Sequence, residues 1–228
     1  MLLRRWEDLP SEMQNEQVRK YYDVLQKRQG RLLIKRGFDI VVSGILLVVL
    51  SPIFLMLAVA IKFDSPGPVF FRQIRVTQYN KRFRIFKFRS MIQNASVGLQ
   101  VTVDNDARIT RTGKFIRKYR LDEIPQLLDV FRGTMTFVGT RPEVPKYVEQ
   151  YSSEMMATLL LPAGITSRAS IYFKDEATIL ESAEDVDCVY VEQILPQKMK
   201  YNLKSIEEFS LLQEIYLLIN TIIKVFGG

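Results

Sequence analysis

The stretch Asp39-Ile-Val-Val-Ser-Gly-Ile-Leu-Leu-Val-Val-Leu-Ser51-Pro52-Ile-Phe-Leu-Met-Leu-Ala-Val-Ala-Ile-Lys62 decides how this chain folds. Between its charged ends, Ile40 to Ile61 run for 22 residues without a charge. At about 1.5 Å per helical residue this just spans a hydrocarbon core roughly 30 Å thick. A straight transmembrane helix is the plain reading, and two features favour another. Ser51-Pro52 sits at the centre, where proline removes a backbone hydrogen bond and bends a helix while a serine hydroxyl satisfies a carbonyl the bend exposes. Basic residues also flank both ends, with Arg31, Lys35 and Arg36 before the run and Lys62, Arg72, Arg75, Lys81 and Arg82 after it. A single crossing carries its positive excess on the cytoplasmic side, so charge at both ends suits a helix that enters, turns and leaves by the same face. The expected element is a re-entrant helix-break-helix over residues 35–64, with the straight span as the alternative.

Upstream, residues 1–34 read as an amphipathic extension, with a helix expected from a Ser11 cap through about Gln29 and ending near Gly30. The first long apolar run starts too late for a signal peptide. Downstream, residues 65–228 read as one catalytic domain. The turn cluster Ser65-Pro66-Gly67-Pro68 leads into Val69–Val76 and Phe83–Phe88, expected as a small antiparallel hairpin. From Arg72 to Arg89 seven positive charges occur with no acid among them. Such a patch suits a basic rim on anionic lipid, and some of its members suit a phosphorylated substrate. A loop is expected over 94–105 and a short basic helix over Lys114–Lys118. Asp122 reads as the N-cap of a helix that takes Pro125 in its first turn and stops at Gly133, which puts Asp122-Glu123 at a helix N-terminus where phosphate is attracted. Leu203, Ile206, Phe209, Leu212, Ile215, Leu218 and Ile222 recur at spacings of three and four, a helix with one apolar face that packs in the core or lies on a bilayer. The fold class is α+β and mostly helical: the re-entrant element, the small antiparallel hairpin and amphipathic interfacial helices.

Composition narrows the chemistry. The 228 residues are 47% hydrophobic and carry a formal net charge of +7, which points to anionic partners. There is no histidine, so Ser-His triads, Cys-His pairs and His-liganded zinc are excluded. Carboxylates, lysines, arginines or an oxygen-liganded metal must do any chemistry. The one cysteine, Cys188, excludes an internal disulfide and reads as a small buried apolar residue. No glycine-rich phosphate loop occurs, so nucleotide recognition needs another device.

In order along the chain come Lys35-Arg-Gly-Phe-Asp39, Ser51-Pro52, Gly67-Pro-Val-Phe-Phe-Arg-Gln73, Phe86-Lys-Phe-Arg-Ser-Met91, Gly113-Lys-Phe-Ile-Arg-Lys118, Leu121-Asp-Glu-Ile-Pro-Gln-Leu127, Phe137-Val-Gly-Thr-Arg-Pro142 and Gly164-Ile-Thr166. The ordered set resembles the monotopic phosphoglycosyltransferases, also called bacterial sugar transferases, over about residues 35–172. The resemblance implies transfer of a sugar 1-phosphate from a UDP-sugar to undecaprenyl or another polyprenyl phosphate, the first step of surface glycan assembly, by way of a covalent aspartyl phosphosugar. It implies Asp122 as nucleophile and Glu123 as the adjacent acid, the two working with Mg2+. It implies Lys87, Arg89 and Arg117 at substrate phosphate, Arg141 and Lys174 at the nucleotide, and Ser51 and Pro52 at the membrane break. The implied location is the bacterial inner membrane, with the active site on its cytoplasmic face. The bilayer, the UDP-sugar and the polyprenyl phosphate are the expected partners; nucleic acid is not, and a homodimer is left open. Thr140 stands where a proline is common, Thr134 where aspartate is, Asp129 where asparagine is, and Lys174 where arginine is. A noncatalytic basic membrane anchor that recruits nucleic acid or an acidic protein also accounts for the charge and the apolar run. It leaves the Asp122 and Arg141 segments without a reason.

Overall fold

A computed structural model describes residues 3–92, 108–173, 176–181 and 185–226. The loop expected over 94–105 lies outside them. After two short 3-10 turns, Trp6–Asp8 and Ser11–Met13, helix α1 runs Glu16–Gln26, capped by the Asn15 side chain rather than by Ser11. The chain does not stop at Gly30. Helix α2 starts at Gln29 and continues to Val49, and α3 follows over Ser51–Asp64.

The two helices meet at an angle of 60°, and no single helix among the described residues is long and apolar enough to cross a membrane. At the bend the Ser51 hydroxyl donates to the Val48 carbonyl at 2.7 Å, which satisfies an acceptor that Pro52 leaves free. Around the bend Val48 is 74% exposed, Leu55 67% and Met56 63%, an apolar tip with no protein covering it. The root of the pair is polar and buried. Asp39 accepts from the Thr136 hydroxyl at 2.7 Å and from the Phe137 amide, Lys35 donates to the Val138 carbonyl at 3.0 Å and pairs with Glu214, and Arg36 donates to the carbonyls of Val130 and Phe131. The Lys35-Arg36-Gly-Phe-Asp39 motif is therefore the joint that locks the bent pair to the rest of the fold.

Strands β1 (Phe70–Thr77) and β2 (Lys81–Phe88) form the expected antiparallel hairpin, with Phe70 opposite Phe88 and Arg72 opposite Phe86. Phe70 and Phe88 stack at 5.5 Å, and Phe54 of α3 meets Phe88 edge-on. Helix α4 spans Arg111–Lys118, a 3-10 turn spans Leu121–Glu123, and α5 spans Gln126–Arg132. Gly133, at φ 88°, ends α5 as expected, because the left-handed region is open to glycine.

A second sheet was not legible in the sequence: β3 (Met135–Val138) pairs in parallel with β4 (Ala163–Thr166). Just beyond β3, Gly139 lies against Gly164 so closely that a Cβ on Gly164 would come 2.2 Å from the Gly139 amide nitrogen. Between the strands lie α6 (Pro145–Val148) and a 3-10 segment, Met155–Leu160. Helices α7 (Arg168–Tyr172), α8 (Glu176–Glu181) and α9 (Val186–Val189) follow, then α10 (Leu195–Glu207) and α11 (Leu211–Phe226). The single C-terminal apolar helix expected from the periodicity is thus two. In α10 and just after it, Leu203, Ile206 and Phe209 are buried, whereas on α11 Leu212, Ile215, Ile219 and Ile222 are exposed. The 1–34 segment is no loose extension either: Leu9, Met13, Val18, Tyr21, Tyr22 and Leu25 share one core with Val76, Leu160, Ile206 and Phe209. Cys188, expected to be buried, is exposed.

Candidate active site

Arg120 takes a left-handed conformation (φ 56°) that reverses the chain between α4 and the Leu121–Glu123 turn. Asp122 and Glu123 are consequently not the N-cap of α5. Pro125 holds that position without a side-chain cap, and the acids sit one turn earlier, against β2. The correction is physical, because Pro125 has no amide hydrogen for a cap to satisfy and the chain tightens into a 3-10 turn instead.

Glu123 is the hub. Its side chain is 13% exposed and its Oε1 receives Lys87 Nζ at 3.0 Å and Arg141 Nη2 at 2.7 Å, while Oε2 receives Arg141 Nη1 at 3.4 Å. Arg141 also donates to the Ile165 carbonyl of β4 at 3.1 Å, so the parallel strands position the arginine. The loop that carries it is fixed from below. Arg75 donates to the Pro142 carbonyl at 3.1 Å, the Val76 amide donates to the Glu143 carbonyl at 2.9 Å, and the Glu143 carboxylate accepts from Tyr190 Oη at 2.6 Å. Arg75 was read only as one charge of the basic patch, and Glu143 and Tyr190 were missed by sequence reading. Glu143 follows directly on the Arg141-Pro142 motif, and its position there was the one available signal.

The two acids are held in opposite electrostatic states. Burial alone would raise the Glu123 pKa, but the Arg141 and Lys87 charges and their hydrogen bonds outweigh it and hold the carboxyl well below the usual carboxylate range. Glu123 in turn holds the Arg141 guanidinium more firmly protonated. Asp122 forms no ion pair with any described residue. Burial, then the neighbouring Glu123 charge, push its pKa up, and Lys87 and Arg117 pull it back. One acid is thus a fixed anion within a cationic frame, and the other is a carboxylate without a partner of its own at the same edge.

Of the residues expected at phosphate and nucleotide, Lys87 and Arg141 converge on Glu123, and Arg117, in the last turn of α4, acts on Asp122. Arg89, expected beside Lys87, is instead buried and donates to the carbonyls of Ile61, Ser65 and Pro66 at 3.3, 2.6 and 2.9 Å. Those carbonyls lie in the last turn of α3 and just beyond it, Ile61 also accepting from the Ser65 amide at 3.3 Å, and a guanidinium there fits both the lone pairs and the dipole. Arg89 therefore anchors the exit of the bent pair. Lys174 lies outside the described residues. Ser51 and Pro52 lie at the bend, away from the dyad in sequence and joined to it through α3, Arg89 and β2.

A family model described as bacterial sugar transferase matches residues 30–228. A UDP-N-acetylgalactosamine-undecaprenyl-phosphate N-acetylgalactosaminephosphotransferase of Aeromonas hydrophila is 38% identical over 199 residues, covering 86% of this chain and 44% of that protein. A UDP-glucose:undecaprenyl-phosphate glucose-1-phosphate transferase of Escherichia coli K12 is 35% identical over 221 residues, covering 94% of this chain and 45% of that protein. The galactosyl transferase CpsE of Streptococcus agalactiae is 33% identical, covering 75% of this chain and 41% of that protein. The chain thus spans less than half the length of these relatives. The match to the family model takes in the bent helix pair, the acidic dyad and the Arg141 loop together: this chain belongs to the bacterial sugar transferase family.

Proposed function

We propose that this chain transfers a sugar 1-phosphate from a UDP-sugar to undecaprenyl phosphate and so starts the assembly of a surface glycan. The relatives' names support the donor and acceptor classes. The observation that carries the chemistry is the division of labour within the dyad, with Glu123 tied to Lys87 and Arg141 and Asp122 left without an ion-pair partner among the described residues. A diphosphate repels a carboxylate nucleophile, so attack at phosphorus needs positive charge already in place. Lys87, Arg117 and Arg141 supply it, and Glu123 keeps Lys87 and Arg141 in fixed orientation.

In the first step an Oδ lone pair of Asp122 forms a bond to the sugar-bearing phosphorus. The bond from that phosphorus to the bridging oxygen breaks, and UMP leaves with the electron pair. In the second step a phosphate oxygen of the lipid acceptor attacks the same phosphorus, and the pair in the acyl phosphate bond returns to Asp122. The split lets one site serve a water-soluble donor and a lipid acceptor in turn. Magnesium fits this donor set, because it takes one or two carboxylates and completes its shell with substrate phosphates and water. Among the described residues no cluster of three acids could cage a metal, which suits an ion held largely by substrate. Asp122 and Glu123 would hold it, and the ion would add positive charge at the diphosphate.

The apolar tip of the α2–α3 pair supports insertion into one leaflet of the inner membrane, with the dyad on the cytoplasmic face. With the exposed Cys188 replaced first, single cysteines near residues 30 and 80 should react with an impermeant reagent from one side only. Labelling from opposite sides would establish a span. For the chemistry, incubation with UDP-sugars in the absence of acceptor should yield a phosphosugar adduct on the protein and release UMP. Asp122→Asn should abolish the adduct and lower turnover by at least about 10⁴-fold. The same variant should raise Tm, since an acid whose pKa is raised by folding costs stability at neutral pH when charged. Substantial residual turnover would sink the mechanism.

A further inference from the structure

The hairpin has a second cationic surface that the dyad does not use. Arg72 and Phe86 are cross-strand partners, as are Ile74 and Arg84, so these four share the face opposite to the one that carries Lys87. The Arg72 guanidinium lies over the Phe86 ring at 3.4 Å from its centroid, and the Arg132 guanidinium of α5 lies 5.0 Å from the same centroid. Arg72 Nη2 donates to the Arg84 carbonyl at 2.6 Å, which fixes its plane. Two guanidinium groups therefore rest on one ring, and Arg84 stands beside it on the same face of the hairpin. None of them pairs with a described acid. Asp129, the acid whose charge acts on Arg72, is buried and already accepts from the Phe86 amide at 2.8 Å. Burial first pushes the Arg72 pKa down, the Asp129 charge opposes this, and Arg132 and Arg84 add to the lowering. Three arginines against one buried carboxylate leave net positive charge for an outside anion.

The surroundings say which anion. Phe131 precedes Arg132, is 47% exposed, and packs beside Gly44, inside the charge-free run of α2. Arg36, which stands before that run begins, holds the Phe131 carbonyl at 2.8 Å. Arg132 thus lies where the polar root of the bent pair gives way to its apolar length, and Ile74, 44% exposed, shares the face of the cluster. Guanidinium groups beside exposed aromatic and aliphatic side chains match a headgroup phosphate with its acyl chains below.

We propose that Arg72 and Arg132, resting on Phe86, together with Arg84 on the same face of the hairpin, form a binding site for the headgroup phosphate of an anionic phospholipid. The site seats the hairpin on the bilayer at a fixed depth, with the opposite face of the hairpin turned to the dyad. It rests on the membrane part of the function proposed above and is independent of the chemistry at Asp122.

The test uses the full chain in neutral detergent micelles, titrated with short-chain phosphatidylglycerol, short-chain phosphatidylcholine and, separately, undecaprenyl phosphate. Phosphatidylglycerol should bind saturably and phosphatidylcholine should not. The Arg72→Gln/Arg132→Gln double variant should weaken phosphatidylglycerol at least about tenfold, from the attraction each arginine exerts on an anionic lipid. A Lys27→Gln/Lys200→Gln control, equal in charge and distant in sequence, should change it less than about twofold. The single Arg84→Gln variant, on an exposed side chain, should weaken it a few-fold and guards against misfolding of the double. Equal losses in the double variant and the control would overturn the site in favour of diffuse attraction. A deficit seen with undecaprenyl phosphate alone would assign the cluster to the acceptor and overturn it too. Because the readout is binding, an inactive dyad leaves the result intact, and a failed lipid site leaves adduct formation at Asp122 intact.

Discussion

The two faces of the β1–β2 hairpin carry charge of the same sign in opposite circumstances. On one face Lys87 meets a carboxylate within the fold, and Arg141 joins it there. On the other Arg72 and Arg132 meet an aromatic ring beside Arg84, with no described acid in an ion pair. Where the protein supplies the counter-charge, the cations are fixed before any ligand arrives, which is the condition for stabilising developing charge without reorganisation. Where one buried acid, Asp129, faces three arginines, the rest of the counter-charge has to come from outside. A basic patch is therefore two devices in this chain, and the position of the acids separates them.

Removing the internal counter-charge is the largest way to break the contrast. Glu123→Gln should lower turnover by about 10²- to 10³-fold, because Lys87 and Arg141 lose the group that orients them. It should also lower Tm, the opposite sign to Asp122→Asn. The pH dependence follows from the depressed pKa. An acid that folds into a lower pKa contributes stability above its unfolded value, about 4.3, and loses it only as pH falls through the folded value. The wild-type Tm should therefore hold from neutral to about pH 4 as far as this group is concerned. Replacing one cation, Lys87→Met, moves the folded value back toward the unfolded one, so it should lower the neutral-pH Tm and shrink the fall in Tm below about pH 4. Thermal melts across that range check this, and matching profiles for the two proteins would show that Lys87 does not hold Glu123.

Much of the frame was legible because its signals are local. The bend follows from Ser51-Pro52, the hairpin from two short strands around a polar turn, and the end of α5 from Gly133. What failed needed partners far along the chain. Lys87 is 36 residues from Glu123 and Arg141 is 18 away, so nothing local says that both cations meet the second acid of the pair. The β3–β4 pair was missed because its strands are four residues each and nearly all buried, which leaves no alternation to read. The resemblance pairs Arg89 with Lys87, and nothing local says that Arg89 also holds the carbonyls at the end of α3. The C-terminal periodicity runs unbroken across Phe209, so the change from a buried helix to one with an exposed apolar face leaves no trace in spacing.

Asp129 gives the finest test, because it touches both faces at once. Its carboxylate holds the Phe86 amide and accepts from Thr134 Oγ1 at 3.4 Å, so it pins the ring on which Arg72 and Arg132 rest. Burial pushes its pKa up, and the Phe86 amide and Arg72 oppose this. An asparagine at this position keeps an oxygen for the Phe86 amide and discards the buried charge. Asp129→Asn should therefore leave stability within about 1 kcal/mol of the original, since the hydrogen bond survives and the desolvation cost of the anion is relieved. It should also tighten phosphatidylglycerol binding by about twofold, the effect of removing a like charge from beside the lipid phosphate. Weaker lipid binding with an unchanged Tm would mean that the Asp129 charge orients the arginines rather than competing for them. The two faces would then be built alike, each around its own acid.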